Sequence, residues 1–504
     1  MKTRDNKPRQ RFPIESLRLK RSGTVAIFRQ LEEQLRDAIW QGRLKPGERL
    51  PSTRQLANEL SIARNTVVSA YEQLSVEGFI HTHKGSGTSV AKHFPPPLKN
   101  IPVTHDKTLT NTPEDTSVFA HHLQHLTPIE RLIPNKDSPP LRPFRPHTPA
   151  CDQFPRHIWA QLTTRRLRKM PRSWLERHSP AGNKHLREAI AGYLGASRNM
   201  LTSPEEVFVT AGVQQAIILL AKLLINPGDI VCVEDPGYTP ATVVFQLAGA
   251  KVVPIPVDQH GLNVDFLANK VKRAKLIYVT PANQYPLGVS LHQTRRKALV
   301  QWACKRGALI IEDDYNGEYQ YRGRPLTTLH TTADSGQVIY LGSFSKLLFP
   351  ALRIGYMIVP PAFIKPLSTL RWLVDRHSPP LEQAVLADFI NEGHFARHLR
   401  RMRTLYATRQ ASLVSAAKKY LNDVISIEAK DSGLHLIGWL ADGVDEKALL
   451  FSAQKAAIDL LPLSEFDLQG NQKPGLILGY APFEPEAIET SAKRLRDTFA
   501  ACSR

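Results

Sequence analysis

Hydrophobic and polar positions divide the chain into three stretches. Near the N-terminus Phe28, Leu31, Leu35 and Ile39 recur at helical spacing and predict a helix that runs to about Gln41 and stops at Gly42. LKPGERLPS follows, a turn-rich connection through Pro46 and Gly47. Ser52, with Gln55 three residues on, fits a capping box and opens a short second helix, TRQLANEL. After the turn SIA a third helix is predicted from about Arg64 to Glu77, with Val67, Tyr71 and Leu74 inward and Gly78 at its end. FIHT and TSVA then flank HKGSG, the pattern of a hairpin with a basic tip. Residues 93–142 lose this periodicity; FPPPLKNIPVTHDKTLTNTPEDTS and IPNKDSPPLRP are rich in Pro, Thr and Asn and predict a linker. From Phe144 onward, helical stretches alternate with short apolar strands.

Four segments follow: a basic tail (1–23), a small head (24–92), the linker (93–142) and a large body (143–504). Composition agrees, since 504 residues with 42% apolar and 22% charged side chains suit a soluble globular protein of two or three domains. It excludes collagen, wholesale disorder and a disulfide scaffold. Cys151, Cys232, Cys304 and Cys502 are scattered without a CxxC pair, so reduced thiols in a cytoplasmic protein are expected, with no metal site. MKTRDNKPRQRF lacks a following apolar run, and Ala216–Ile225 is roughly half a membrane span and contains Lys222. The net charge of +20 calls for an acidic partner, nucleic acid or an anionic membrane surface. It is concentrated in residues 1–92, where 17 Lys/Arg face 9 Asp/Glu. The run RRLRK, Arg165 to Lys169, reads as a solvated helix face.

Three helices with a tight turn between the second and third, then a hairpin, describe a winged helix-turn-helix. A recognition helix presents polar and cationic groups at its N-terminal end, where Arg64, Asn65 and Thr66 fall. Arg54 is placed to meet phosphate or a guanine edge, and Lys84 with Gly85 to lay the wing on the backbone. Helical pattern and charge alone also fit a small domain with solvated basic side chains. The order LxPGxxLPSxRxLAxxLxxxRxTVxxAYxxLxxxGxIxxxxGxGTxV, however, resembles the GntR type of winged helix-turn-helix. That resemblance implies DNA binding by Arg54, Arg64, Asn65, Thr66 and the wing at Lys84 and Gly85.

In the body, VFVTAGVQQAIILLAKLL predicts a strand, a turn and a buried helix, with the backbone N–H groups of Gly212, Val213 and Gln214 forming an anion site. VCVEDPGYTP carries Tyr238 beyond a strand, and LIYVTPANQYPLG carries Asn283. ALIIEDDYNGEY delivers Asp313, Asp314 and Tyr315; VIYLGSFSKLLFPALRIGY delivers Ser343, Ser345 and Lys346, with Arg353 seven residues later. Open α/β sheets bind ligands at the carboxyl ends of their strands. A desolvated lysine there can form a Schiff base, a buried carboxylate can hold a pyridine nitrogen protonated, and an aromatic ring can stack. Each residue alone has an ordinary structural explanation; together, at four successive strand ends, they predict a site.

From about Phe144 to Phe499 the body resembles the fold-type I aminotransferases that use pyridoxal 5′-phosphate. The resemblance implies an α/β fold: a mainly parallel sheet with helices on both faces and a smaller C-terminal α+β part. It gives Lys346 the Schiff base, Ser343 and Arg353 the phosphate, Tyr238 the ring-stacking position, and Tyr315 a hydrogen bond to the ring O3′. It makes Asp313 the pyridinium partner, with the adjacent Asp314 as the alternative. Asn283 stands where relatives often carry His-Gln, which leaves its part beside Tyr315 open.

Head and body in this order resemble the MocR-like transcriptional regulators. The resemblance implies a homodimer that binds double-stranded operator DNA under control of a small effector or of pyridoxal 5′-phosphate itself. The alternative is an active aminotransferase with an accessory DNA-binding head. Aminotransferases clamp a substrate carboxylate with arginine. Here PGLILGYAPF occupies the relevant late strand, and no Arg occurs from Asp431 to Ala492. Pro240 stands two residues after Tyr238, where amino-acid-sensing relatives can carry Arg. Both departures argue against ordinary turnover and against an amino-acid effector, leaving an amine, an unusual ligand or the cofactor itself.

Overall fold

The computed structural model describes residues 17–21, 25–83, 87–95, 141–322, 327–333 and 336–502. It divides into two compact units, Met1–Val118 and Phe119–Arg504. Residues 96–140 of the expected linker and 1–16 of the expected tail lie outside the described residues.

The head consists of α1 (Ile27–Trp40), α2 (Thr53–Glu59), α3 (Arg64–Val76), β1 (Ile80–His83) and β2 (Gly87–Val90). Leu31, Leu35 and Ile39 of α1 are buried with Leu56, Val67, Tyr71 and Leu74. Tyr71 keeps its polar end satisfied by donating to the Pro51 carbonyl at 3.0 Å. The Ser52 hydroxyl accepts from the Gln55 amide at 3.2 Å, but the Gln55 side chain turns to Glu59, so only half of the expected capping box forms. Gly78, at φ +80°, takes the left-handed position that ends α3. The PGERL connection is more than a turn: Gly47 and Leu50 donate to the carbonyls of Val90 and Thr88 and edge the hairpin.

The body is built on β3 (Val207–Thr210), β4 (Ile230–Asp235), β5 (Lys251–Asp258), β6 (Gly261–Leu262), β7 (Leu276–Val279), β8 (Leu309–Asp314), β9 (Val338–Ser343) and β10 (Gly355–Ile358). Their order is β3-β10-β9-β8-β7-β4-β5-β6, with β9, β8, β7, β4 and β5 mutually parallel. Strand side chains alternate between two apolar layers: Val231 and Val233 of β4 join one, and Cys232 between them joins the other. Helices cover both faces, which is why the strands read as continuous apolar runs.

This topology collects the polar segments. The parallel strands β4, β7, β8 and β9 all end at one edge. β10 runs antiparallel to both its neighbours, so its start, just after Arg353, meets the ends of β3 and β9 at that same edge. A smaller antiparallel sheet follows, β11 (Ile425–Ile427), β12 (His435–Leu440), β13 (Leu461–Pro462) and β14 (Gly475–Gly479), in the order β11-β12-β14-β13. Among the described residues no helix is long and apolar enough to cross a membrane.

The RRLRK run is solvated as expected at Arg165, Arg168 and Lys169, but two of its arginines also meet a carboxylate. Arg166 Nε donates to Asp388 Oδ2 at 2.7 Å and Arg165 reaches the same carboxylate at 3.0 Å, fastening helix Arg156–Arg168 to helix Pro380–Asn391. Arg168 and Lys169 do face solvent. Charge alone could not separate the two sets, because which arginines meet a carboxylate depends on a helix more than 200 residues away.

Candidate functional site

Lys346 follows β9 and is only partly exposed; its Nζ donates to the carbonyl of His147 at 2.9 Å. Burial pushes its amine down to about 8, with the Asp313 carboxylate opposing that shift and Arg353 adding to it. The neutral form that an amine nucleophile requires is therefore far more accessible near neutrality than for an ordinary lysine.

Asp313 and Asp314 are separated by strand geometry, since successive side chains of β8 point to opposite faces. Asp314 accepts from Arg198 at 2.7 Å, from the Tyr340 hydroxyl at 3.0 Å and from the Gly317 amide at 2.9 Å. It is fully engaged. Asp313 accepts from the Tyr278 hydroxyl through Oδ2, while its Oδ1 is buried without a hydrogen-bond partner among the described residues. Burial raises its carboxyl to about 7, Tyr278 and Lys346 opposing and Asp314 reinforcing. An unpaired buried acceptor costs roughly 1–3 kcal/mol, so an incoming N–H donor would find the position prepared.

Tyr238 caps helix Thr239–Leu247, and its ring stacks on Tyr278 with centroids 6.5 Å apart and planes at 25°. Asn283 donates from Nδ2 to the Tyr315 hydroxyl at 3.2 Å and to Asn316 at 3.1 Å. Pro240 sits in the first turn of the helix that Tyr238 caps, a position where a missing N–H costs nothing.

The anion end is equally specific. Gly212 caps helix Val213–Leu224 at φ +87°, without a side chain to occupy the amides of Val213 and Gln214. A Cβ there would stand 3.1 Å from Arg353 Nη2, so glycine lets the guanidinium lie on the turn, where it donates to the Ala211 carbonyl at 2.9 Å. Ser343 and Ser345 are buried nearby in sequence, and Ser345 Oγ lacks a hydrogen-bond partner. An orphaned carboxylate oxygen, an orphaned hydroxyl and a lysine of lowered pKa fit pyridoxal 5′-phosphate in the donor and acceptor types each end presents.

Sequence reasoning missed four neighbours. Tyr278, one strand over, holds Asp313. His147, at φ +70°, comes from the Pro-rich arm before the first body helix, and its Nε2 lies 2.9 Å from the Tyr285 hydroxyl. His435 of β12 packs 5.8 Å from the His147 ring and bonds the Pro286 carbonyl at 2.9 Å. Burial holds His147 well below the ordinary imidazole range, helped by Lys346, and brings His435 down to about 4. No spacing pattern announced these residues; a histidine at positive φ is visible only in the backbone.

On the head, Arg54, Arg64 and Asn65 are exposed and Thr66 is half-buried at the first turn of α3. Arg64 Nε is 3.5 Å from the Thr53 hydroxyl, and Ala63 at the N-cap offers no side-chain acceptor to the helix amides. Lys84 and Gly85 lie outside the described residues.

Residues 153–456 match the family model for aminotransferase class I and II, and residues 28–90 match that for bacterial regulatory proteins of the gntR family. The chain is 37% identical to the probable rhizopine catabolism regulatory protein MocR of Rhizobium meliloti, over 96% of each chain. It is 31% identical to the pyridoxine biosynthesis transcriptional regulator PdxR of Corynebacterium glutamicum, over 94% of this chain and 96% of that one. Among solved structures, the body is similar to Pyrococcus horikoshii kynurenine aminotransferase, with TM-score 0.68 and 26% identity over 79% of this chain and 98% of that one. It is also similar to the α-aminoadipate aminotransferase LysN of Thermus thermophilus complexed with N-(5′-phosphopyridoxyl)-L-leucine, with TM-score 0.69 and 27% identity over 77% of this chain and 98% of that one.

Proposed function

The chain belongs to the MocR-like transcriptional regulators, and on that premise we propose that its body senses a small ligand at Lys346 while its head reads an operator. The protein is a DNA-binding regulator whose cofactor is pyridoxal 5′-phosphate. The observation that supports the site assignment is that Asp313 Oδ1, a buried acceptor without a hydrogen-bond partner at the end of β8, and Lys346, a half-buried amine just beyond β9, lie at neighbouring strand ends.

When bound, the cofactor supplies an aldehyde carbon that condenses with primary amines and a ring that withdraws electrons. Every other task falls to the chain. Asp313 accepts the pyridine N–H and keeps the proton there; Tyr278 holds that carboxylate in place. Tyr238 stacks on the ring face. Tyr315, positioned by Asn283, donates to the ring oxygen. Arg353, Ser343 and the amides of Gly212, Val213 and Gln214 bind the phosphate, and Lys346 presents a neutral amine. On the head, Arg64, Asn65 and Thr66 meet base edges, and Arg54 with the wing at Lys84 and Gly85 meets phosphate.

Two heads in a cytoplasmic homodimer would bind two half-sites, and ligand at Lys346 would shift the population between their arrangements. The late strand without arginine supports a sensor over an enzyme of α-amino acids. Genomic fragments bound by the full-length protein, selected with and without cofactor, test the reading alongside a steady-state transamination assay. Discrete fragments whose affinity changes with cofactor or ligand are expected. Sustained turnover of an amino donor and a keto acid would overturn the sensor reading in favour of the enzyme.

A further inference from the structure

We propose that the wall of His147, Tyr285 and His435 beside Lys346 selects a primary amine whose remaining groups are uncharged and hydroxylated, rather than an α-amino carboxylate. The inference rests on the reading that Lys346 carries the cofactor. It adds the chemical class of the effector.

The left-handed backbone of His147 sends its carbonyl to Lys346 Nζ at 2.9 Å and its ring to the Tyr285 hydroxyl at 2.9 Å. Such a conformation is uncommon for a residue with a Cβ and persists where surrounding contacts hold it, often at a ligand clamp. The Tyr285 ring lies 5.8 Å from that of Tyr238 and 6.1 Å from that of Tyr315, the two candidate ring contacts of the cofactor. The His435 ring closes the group, 5.9 Å from Tyr285 and 5.8 Å from His147. The wall therefore stands directly beside the Lys346 amine, within reach of a ligand joined there.

The wall's own side chains are neutral, and the one carboxylate acting on it among the described residues, Glu465, acts on Tyr285 and disfavours a second anion. Imidazole and phenol each donate and accept, and the Tyr285 hydroxyl keeps bonding capacity beyond its contact with His147. Both imidazoles are held uncharged by burial next to Lys346. Besides Lys346 itself, Arg145 acts on His147, and Arg353 acts on Lys346 and Tyr238; both guanidiniums are otherwise placed. Arg145 Nη1 lies 3.9 Å from Asp459 Oδ2, and Arg353 lies on the Gly212 turn. Among the described residues no guanidinium is aimed at this position, so a carboxylate seated here would be desolvated without one, which is unfavourable, whereas a hydroxyl exchanges water for donors and acceptors of the same kind.

The test uses two probes that differ at one group: 2-amino-1,3-propanediol and L-serine, a hydroxymethyl against a carboxylate. The cofactor-loaded full-length protein is titrated with each, following cofactor absorbance and, independently, calorimetric heat. Half-saturation by the diol is expected at a concentration about tenfold or more below that of serine. His147→Gly, which suits the positive φ and retains the carbonyl, is expected to bring the two within about threefold. Tyr285→Phe, which keeps the ring, should lower the preference in the same direction, so the result does not depend on one variant folding. Equal or tighter binding of serine, no response to either probe at millimolar concentration, or an unchanged preference in both variants would overturn the proposal. Failure of the underlying reading shows separately, as absence of a lysine-bound cofactor spectrum before any probe is added.

Discussion

On the head, the candidate contacts Arg54, Arg64 and Asn65 stand in solvent on a helical scaffold whose core lies beneath them. At the edge of the body's sheet, Asp313 is buried and Lys346 mostly so, and each is held by a residue from another segment, Tyr278 and His147. Exposed charges meeting phosphate or bases act in high dielectric, contribute in increments and are screened by salt. Buried groups have no water to fall back on, so they act nearly all-or-none and their proton affinities move. One chain thus uses two electrostatic regimes, one for reading a polymer and one for holding a small molecule.

The largest expected effect breaks the buried regime outright. Lys346→Ala is expected to abolish the absorbance of lysine-bound cofactor while leaving operator binding by the cofactor-free protein intact; an unchanged spectrum would remove Lys346 from its role. Next come the two adjacent carboxylates, which should fail differently. Asp314→Asn leaves Arg198 buried beside a neutral amide and is expected to destabilise the fold by about 3 kcal/mol, read by chemical denaturation. Asp313→Asn should instead weaken cofactor affinity by about a hundredfold at nearly constant melting temperature, since a lost buried charge pair is worth roughly 3 kcal/mol. Interchanged results would reverse their assignment.

On the exposed side, Arg64→Ala is expected to cost about 1–3 kcal/mol on the operator and much less on unrelated DNA. An equal loss on every sequence would make Arg64 a phosphate contact. The smallest effect is on rate. With its amine lowered to about 8, Lys346 gains its neutral form as pH rises through that value. The rate of covalent cofactor attachment should therefore increase about tenfold between pH 7 and pH 9 and level off beyond. A flat profile would show that the proton on Lys346 does not limit attachment.

Legibility followed the same division. The order of the head's elements could be read from the sequence because they are contiguous and its motif spans them without interruption, whereas the half-formed capping box and the edge that Gly47 and Leu50 add to the hairpin could not. The body's strand-end residues were legible as a set, since parallel strands must deliver their C-terminal ends to one edge. The choice between Asp313 and Asp314 was not, for a strand's face is fixed only by what packs on each side. Arg165 and Arg166 looked like surface charge until Asp388 met them.

Sequence by itself determined the two folds, their order, the delivery of Lys346 and its companions to neighbouring strand ends, and the lack of arginine from Asp431 to Ala492. These depend on local periodicity and on residue type. Only the tertiary structure decided that Asp313 Oδ1 is left unpaired, that Tyr278 anchors its other oxygen, and that His147, Tyr285 and His435 stand together beside Lys346. Those facts join residues as much as 288 positions apart, from His147 to His435. Burial and pairing at that range are properties of the packed chain, and no local pattern encodes them.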